Sequence, residues 1–119
     1  RDADGCPAPR SGMNPALWYA TLEQSYAHFH EALERGALRQ PHADTLAPVD
    51  EWGRILPFDP YAAESPAEFY AVMTEVFFTD APTLRLCYPE LYAQFAHYYG
   101  LDPAARLAAQ QQEAAADHA

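Results

Sequence analysis

Large hydrophobic side chains recur at helical spacing in the first third of the chain. They lie one, four, four, three and four positions apart, as Leu17, Trp18, Leu22, Tyr26, Phe29 and Leu33. This spacing places them on one stripe of a helix. Asn14 followed by Pro15 is typical of a helix start, and Gly36 is placed to end the helix as its C′ residue. The pattern predicts a helix over residues 15–35.

The second half of the chain contains further helix starts. The letters SPAE at 65–68 provide a Ser N-cap, a Pro in the first turn and a Glu at the third helical position. The segment that follows, up to Phe78, is apolar over much of its circumference, which predicts a helix buried on most sides. The letters DAP at 80–82 break that helix and start a short helical turn, and Pro89 opens another helix that Gly100 closes.

The segment 36–60 has four prolines and no sustained period. We interpret it as a long irregular loop with two apolar points, Trp52 and the pair Ile55-Leu56. Loops of this length are usually functional or pack through their own side chains, so this one is a candidate wall of a cleft. The fold class is therefore predicted to be mainly α, with one domain over 1–103 and an Ala/Gln-rich tail at 104–119 that is weakly helical or frayed.

Composition and charge narrow the range of partners. The chain has 119 residues and a formal net charge of −10 at pH 7, which argues against nucleic acid or an anionic membrane as the main partner. No apolar run approaches the roughly 20 residues of a membrane-spanning helix, and no signal peptide is expected from the polar start.

The two cysteines, Cys6 and Cys87, lack metal-ligand spacing. A reducing cytoplasm is the default location, although a disulfide between them stays open.

The histidines do not form a metal motif by spacing. His28 and His30 are two residues apart, so on a helix they point about 200° away from each other. The letters HEALE at 30–34 resemble the zinc-binding pattern HExxH but place Glu34 where the second histidine is required. His42, His97 and His118 have no neighbour at ligand spacing.

Two glutamates on one predicted helix are stronger candidates. Glu68 fits the helix cap described above, a structural role that needs no further explanation. Glu75 lies two turns further along the same face, in an otherwise apolar segment where a carboxylate is costly unless it is paired or bound to a metal. Tyr61 precedes Glu68 by seven residues. The three residues indicate a polar functional site as the alternative to a simple cap.

Around these residues the chain resembles the MtfA family. The resemblance rests on DPYAAESPAEFYAV at 59–72, TEVFF at 74–78, YPELY at 88–92, the aromatic positions that follow, and LDP at 101–103. It is dense over 59–103, loose over 1–58 and absent in the tail. The family consists of zinc metallopeptidases named for a protein that titrates the glucose repressor Mlc. Their catalytic domain is similar to that of anthrax lethal factor.

The resemblance implies roles for individual residues. Glu68 matches the third zinc ligand of a gluzincin site, and Tyr61 matches the tyrosine that stabilises the tetrahedral oxyanion. Three protein ligands and one open position are the usual arrangement of catalytic Zn2+. We further infer that Glu75 orients a ligand histidine, as carboxylates around zinc commonly do.

The family's HExxH helix is expected to lie upstream of Arg1. The chain is accordingly interpreted as the C-terminal helical part of a zincin-like peptidase that hydrolyses peptide bonds when complete. Alone it is expected to be inactive and to hold no zinc tightly. The alternative is a non-catalytic acidic helical module that binds a protein partner such as a transcriptional repressor. Without an upstream helix, the apolar strip on the helix around Phe69–Phe78 is expected to promote self-association.

Overall fold

Five α-helices make up the computed structural model, which describes residues 5–42 and 44–117. They are α1 (Pro15–Arg39), α2 (Pro66–Thr79), α3 (Ala81–Cys87), α4 (Pro89–Tyr99) and α5 (Pro103–Asp117), and a 3-10 turn at Pro60–Ala63 precedes α2. Within those described ranges the only β pairing is one isolated bridge between Val49 and Ile55. The predicted mainly α fold is confirmed. Residues 1–4, residue 43 and residues 118–119 of the tail, including His118, lie outside the described part.

Helix α1 begins where the sequence predicts and ends later. The side chain of Asn14 accepts a hydrogen bond from the amide of Leu17 at 3.2 Å, which caps the first turn. The helix does not stop at residue 35, however, but continues to Arg39. Gly36 therefore lies inside the helix, and the prediction that it is the C′ residue is wrong.

Close approach of the chain explains the glycine at position 36. A Cβ atom placed there would lie 1.7 Å from the carbonyl oxygen of Ala47. In the preceding turn, the carbonyl of Ala32 accepts a hydrogen bond from the amide of Val49 at 2.9 Å. The segment after α1 thus returns along the helix and packs directly against its backbone.

Replacing Gly36 with Ala is expected to destabilise the protein. In an ordinary helix interior this change is favourable by about 1 kcal/mol. Here the added Cβ would collide with backbone, and overpacking of this kind costs roughly 1–3 kcal/mol. Urea denaturation measures the difference. Ala27→Gly, at an exposed position of the same helix, is the control for helix propensity and should cost about 1 kcal/mol. A more stable Gly36→Ala variant would contradict the close contact.

The largest side chains of the core are mainly aromatic. The largest fully buried side chains include Trp18 and Phe29 of α1, Phe69 and Phe77 of α2, and Phe95 of α4. Trp18 stacks on Tyr98 with ring centroids 5.0 Å apart, and Phe77 lies 5.9 Å from Phe95. Ring contacts therefore link α1, α2 and α4.

Helix α2 is less buried than its composition predicts. Its fully buried residues are Phe69, Met73 and Phe77, which follow each other at four-residue spacing and form a single stripe. Phe78 is 51% exposed, and Glu75 is exposed as well. The prediction of burial on most sides is wrong, because the fully buried residues form this single stripe, whereas Phe78 and Glu75 are exposed beside it.

The C-terminal helices are joined by a small polar contact. Gly100 ends α4 in the left-handed conformation with φ 67°, as predicted for a C-terminal glycine. The hydroxyl of Tyr92 then donates to Asp102 and accepts from the amide of Ala104 at 3.0 Å. Ala104 is the one buried residue of α5 among those described. None of the described helices has the length and hydropathy needed to cross a bilayer.

Candidate functional site

Tyr61 lies in the 3-10 turn that leads into α2. The side chain of Asp59 accepts a hydrogen bond from the Tyr61 amide at 3.0 Å and caps this turn. Ala62 and Ala63 are buried beneath it, and the hydroxyl of Tyr26 on α1 donates to the carbonyl of Ala63 at 2.9 Å. The turn is thus anchored from below, while the Tyr61 side chain stays 53% exposed.

Glu68 lies in the first turn of α2, close to Tyr61. The hydroxyl of Ser65 accepts a hydrogen bond from the Glu68 amide at 3.2 Å, so the predicted Ser N-cap is confirmed. A carboxylate in the first turn interacts favourably with the positive end of the helix dipole. The side chain of Glu68 is half-buried, and the next residue, Phe69, is inserted in the core. The backbone around Glu68 is therefore fixed on both sides.

The structure brings the phenol of Tyr61 and the carboxylate of Glu68 together. The negative charge of Glu68 raises the pKa of Tyr61 above its usual value of 10.0, and partial burial acts in the same direction. These effects favour the neutral phenol, because ionisation of Tyr61 would place a second negative charge beside that of Glu68. Tyr61 therefore keeps its proton at neutral pH and can donate a hydrogen bond.

This proximity gives a measurable titration. In the unchanged protein, Tyr61 should ionise above pH 10, and in Glu68→Gln its pKa should fall towards the ordinary value because the neighbouring charge is removed. NMR of protein labelled at the tyrosine Cζ atoms, with Tyr61→Phe to assign the signal, measures both values. Glu113→Gln, at an exposed position of α5, removes the same charge elsewhere and should leave the Tyr61 pKa unchanged. Equal shifts in the two Gln variants would contradict the Tyr61–Glu68 contact.

Glu75 shares a face of α2 with Glu68 but lies apart from it. Seven residues correspond to about 10 Å along the helix axis. Its side chain is exposed, so the argument that a carboxylate here is costly to bury does not hold. Residues 5–42 and 44–117 contain no group of three His, Cys, Asp or Glu side chains arranged to hold a metal ion. In that part of the chain, Glu68 and Tyr61 are the two predicted site residues that the fold places together.

The first described residues of the chain lie against the same end of α2. The thiol of Cys6 donates to the carbonyl of Pro66 at 3.6 Å, and a Cβ atom on Gly5 would lie 2.3 Å from the Cβ of Ala67. Cys6 and Cys87 are both half-buried, and no disulfide joins them. The chain near Gly5 therefore runs directly beside the turn that carries Glu68.

A second polar feature, the contacts of His28, was not predicted from the sequence. His28, which the spacing argument set aside, lies 2.8 Å from the hydroxyl of Tyr88 through Nδ1 and 2.7 Å from Glu51 through Nε2. These residues line an open cleft of about 1090 Å3 together with Trp52 and Leu56. The prediction that segment 36–60 walls a cleft is confirmed. No local sequence pattern predicts these contacts of His28, since its partners are 23 and 60 residues away in the chain.

The comparison with protein families identifies the class. Residues 1–100 match the family described as glucose-regulated metallo-peptidase M90. The chain belongs to this metallopeptidase family, as the resemblance in the sequence implies.

Individual curated relatives are similar to part of the chain. Mlc titration factor A of Cronobacter sakazakii is 41% identical over 59 residues, which cover 50% of this chain and 22% of the relative. The protein of the same name from Pectobacterium atrosepticum is 47% identical over 49 residues, covering 41% of this chain and 18% of the relative. The matched stretches thus cover about a fifth of these relatives. No solved structure matches the chain.

Proposed function

We propose that this chain is the C-terminal helical part of a zinc-dependent peptidase that hydrolyses peptide bonds. Membership of a metallopeptidase family supports the reaction class. One observation carries the assignment of residues. The phenol of Tyr61, which lies on an anchored turn, is close to the carboxylate of Glu68 on α2. In this proposal, Glu68 is a zinc ligand and Tyr61 stabilises the oxyanion.

The donor set fits one part of a zinc site. A carboxylate is a regular ligand of catalytic zinc, which takes three protein ligands in all. Glu68 supplies one, and we propose that two histidines and the general base come from an HExxH helix that precedes this chain in the complete enzyme. The packing of Gly5 and Cys6 against the first turn of α2 supports this arrangement, because it leads the chain to Glu68 from the upstream side. By itself the chain should neither hold zinc tightly nor cleave peptides.

Each residue then has a defined task. The chemistry that bound zinc supplies is Lewis-acid activation of water and of the peptide carbonyl. The neutral phenol of Tyr61 donates a hydrogen bond to the oxygen on which negative charge develops, an electrostatic contribution of the oxyanion-hole type. Glu75 is exposed on the same face of α2 and is proposed to orient a ligand histidine. We place the enzyme in the cytoplasm, where both cysteines stay reduced.

Two conservative variants separate the proposed roles. Tyr61→Phe in the natural gene product should keep the zinc content and lower kcat, whereas Glu68→Gln should lower the zinc content itself. Metal analysis after gel filtration and hydrolysis of a labelled peptide give the two readouts. Full zinc content and full activity in both variants would overturn the assignment.

A second candidate function is binding of a protein partner without catalysis. The relatives are called Mlc titration factor A, and a net charge of −10 favours a partner with a basic surface. If this function stands alone, Tyr61→Phe and Glu68→Gln should leave the affinity for a purified repressor unchanged in calorimetric titration. A marked loss of affinity in these variants would count against it.

A further inference from the structure

An open cleft lies between α1, the segment that follows it, and the junction of α3 and α4. Its lining includes Leu17 and His28 of α1, Trp52 and Ile55 of the following segment, and Leu86 and Glu90 near the junction. Neither Tyr61 nor Glu68 lines it. At about 1090 Å3 it is large enough for a short stretch of polypeptide.

A hydrogen-bonded turn holds the backbone of Trp52 at the edge of this cleft. The Val49–Ile55 bridge closes the turn, and Oδ1 of Asp50 accepts hydrogen bonds from the amides of Trp52 and Arg54 at 2.9 and 2.8 Å. The Arg54 guanidinium lies over the indole, 5.5 Å from the ring centroid. Trp52 is nevertheless 73% exposed. An exposed tryptophan on a turn whose backbone is already held is a typical centre of an interface, because the backbone needs no further ordering on binding.

Aliphatic side chains extend the apolar surface around the tryptophan. Leu86 is 83% exposed, and Ile55 and Leu17 are exposed as well. All three line the same cleft as Trp52. Single exposed hydrophobic residues are ordinary on a protein surface, but a group of them in one concave site is typical of a binding surface.

The charges in the cleft are mainly negative. Asp50, Glu51 and Glu90 line it, and the one arginine in the lining, Arg54, lies 3.7 Å from the Asp50 carboxylate. The backbone hydrogen bonds hold the pKa of Asp50 below its usual range, and the hydrogen bond from His28 lowers that of Glu51. Both carboxylates are therefore ionised at neutral pH.

We propose that this cleft binds a peptide segment in which an arginine or lysine lies next to a large apolar side chain. The apolar side chain would pack against Trp52 and Leu86, and the cation would lie between Glu51 and Glu90. A second copy of the chain is disfavoured as the occupant, because each copy carries a charge of −10. Nucleic acid is disfavoured for the same reason. The inference does not depend on the proposed zinc chemistry.

Three synthetic peptides of about nine residues test the class of ligand. The first combines Arg with Leu, the second Glu with Leu, and the third Arg with Ser. The change in tryptophan fluorescence reports on Trp52, because Trp18 is fully buried. At roughly physiological salt, the Arg/Leu peptide should bind at least about tenfold more tightly than either of the others.

Variants then locate the binding by calorimetric titration. Trp52→Ala and Leu86→Ser should each weaken binding of the Arg/Leu peptide, the first by about tenfold. The pair Glu51→Gln and Glu90→Gln should weaken it about fivefold. A matched pair, Glu23→Gln and Glu113→Gln, changes the net charge equally at exposed positions outside the cleft and should alter binding less than about twofold.

Several outcomes would overturn this inference. Equal affinities for the three peptides, or no saturable binding up to roughly 1 mM, would exclude the proposed ligand class. Equal effects of the two pairs of Gln variants would show attraction to the overall charge and not to the cleft. A dimer in sedimentation that Trp52→Ala dissociates would assign the cleft to a second copy of the chain.

Discussion

In the proposed zinc peptidase, replacing Glu68 with Gln is expected to abolish most of the activity. Gln keeps the size and the polar oxygen of the side chain but removes the charge that a zinc ligand contributes. Loss of even an indirect partner of a zinc ligand costs 10–100-fold in metal affinity or activity. We therefore expect a decrease of about 1000-fold in kcat/KM, equivalent to about 4 kcal/mol of transition-state stabilisation. Steady-state hydrolysis of a labelled peptide measures it.

The control for this prediction must separate metal loss from unfolding. The amide of Glu68 still donates to the Ser65 hydroxyl in the variant, so the helix cap stays in place. Thermal unfolding without added metal should therefore change little. Glu113→Gln, which makes the same chemical change on α5, should keep both zinc and activity. A Glu68→Gln protein with normal zinc content would leave Glu68 as a helix-capping residue only.

Replacing Trp18 with Ala is expected to have the largest effect on stability. The Trp18 side chain is fully buried, stacks on Tyr98 and contacts Tyr70 and Phe95. Its indole N–H also donates to the carbonyl of Pro7 at 3.0 Å. Removal of a buried aromatic side chain costs about 3–5 kcal/mol, a large part of the 5–15 kcal/mol that stabilises a typical domain.

The second tryptophan provides a matched control. Trp52 is largely exposed, and its removal should change the free energy of unfolding by only about 0.5 kcal/mol. Urea denaturation followed by circular dichroism compares the two variants by a signal that needs no tryptophan. Similar losses in Trp18→Ala and Trp52→Ala would contradict the burial that separates them in the structure.

Helix starts were predictable from the sequence because their signals are local. Asn14 and Ser65 each cap a helix through their own side chains, and the pattern needs only the next three residues. The end of α1 was not predictable in this way. Glycine is the residue type expected at a helix end. At position 36, however, it is required because the carbonyl of Ala47 packs against the helix, where a Cβ atom would collide with it.

The candidate site likewise combines features that were predictable from the sequence with one that was not. Tyr61 and Glu68 are close in sequence, and the resemblance to the MtfA family already pairs them. Glu75 has the correct helical spacing from Glu68, but its exposure depends on which face of α2 packs against α1, α3 and α4. The stripe formed by Phe69, Met73 and Phe77 decides that orientation, because it buries the largest apolar surface.

The sequence alone determined the helical class of the chain, the starts of α1 to α4 and its family, because each depends on residues that are neighbours in the chain. Only the tertiary structure decided that His28 contacts Glu51 and Tyr88, and that Trp52 and Leu86 face one acidic cleft. Contacts between distant residues follow from the packing of whole helices. No local sequence pattern predicts these contacts, since the free energy that selects the packing comes from the buried core.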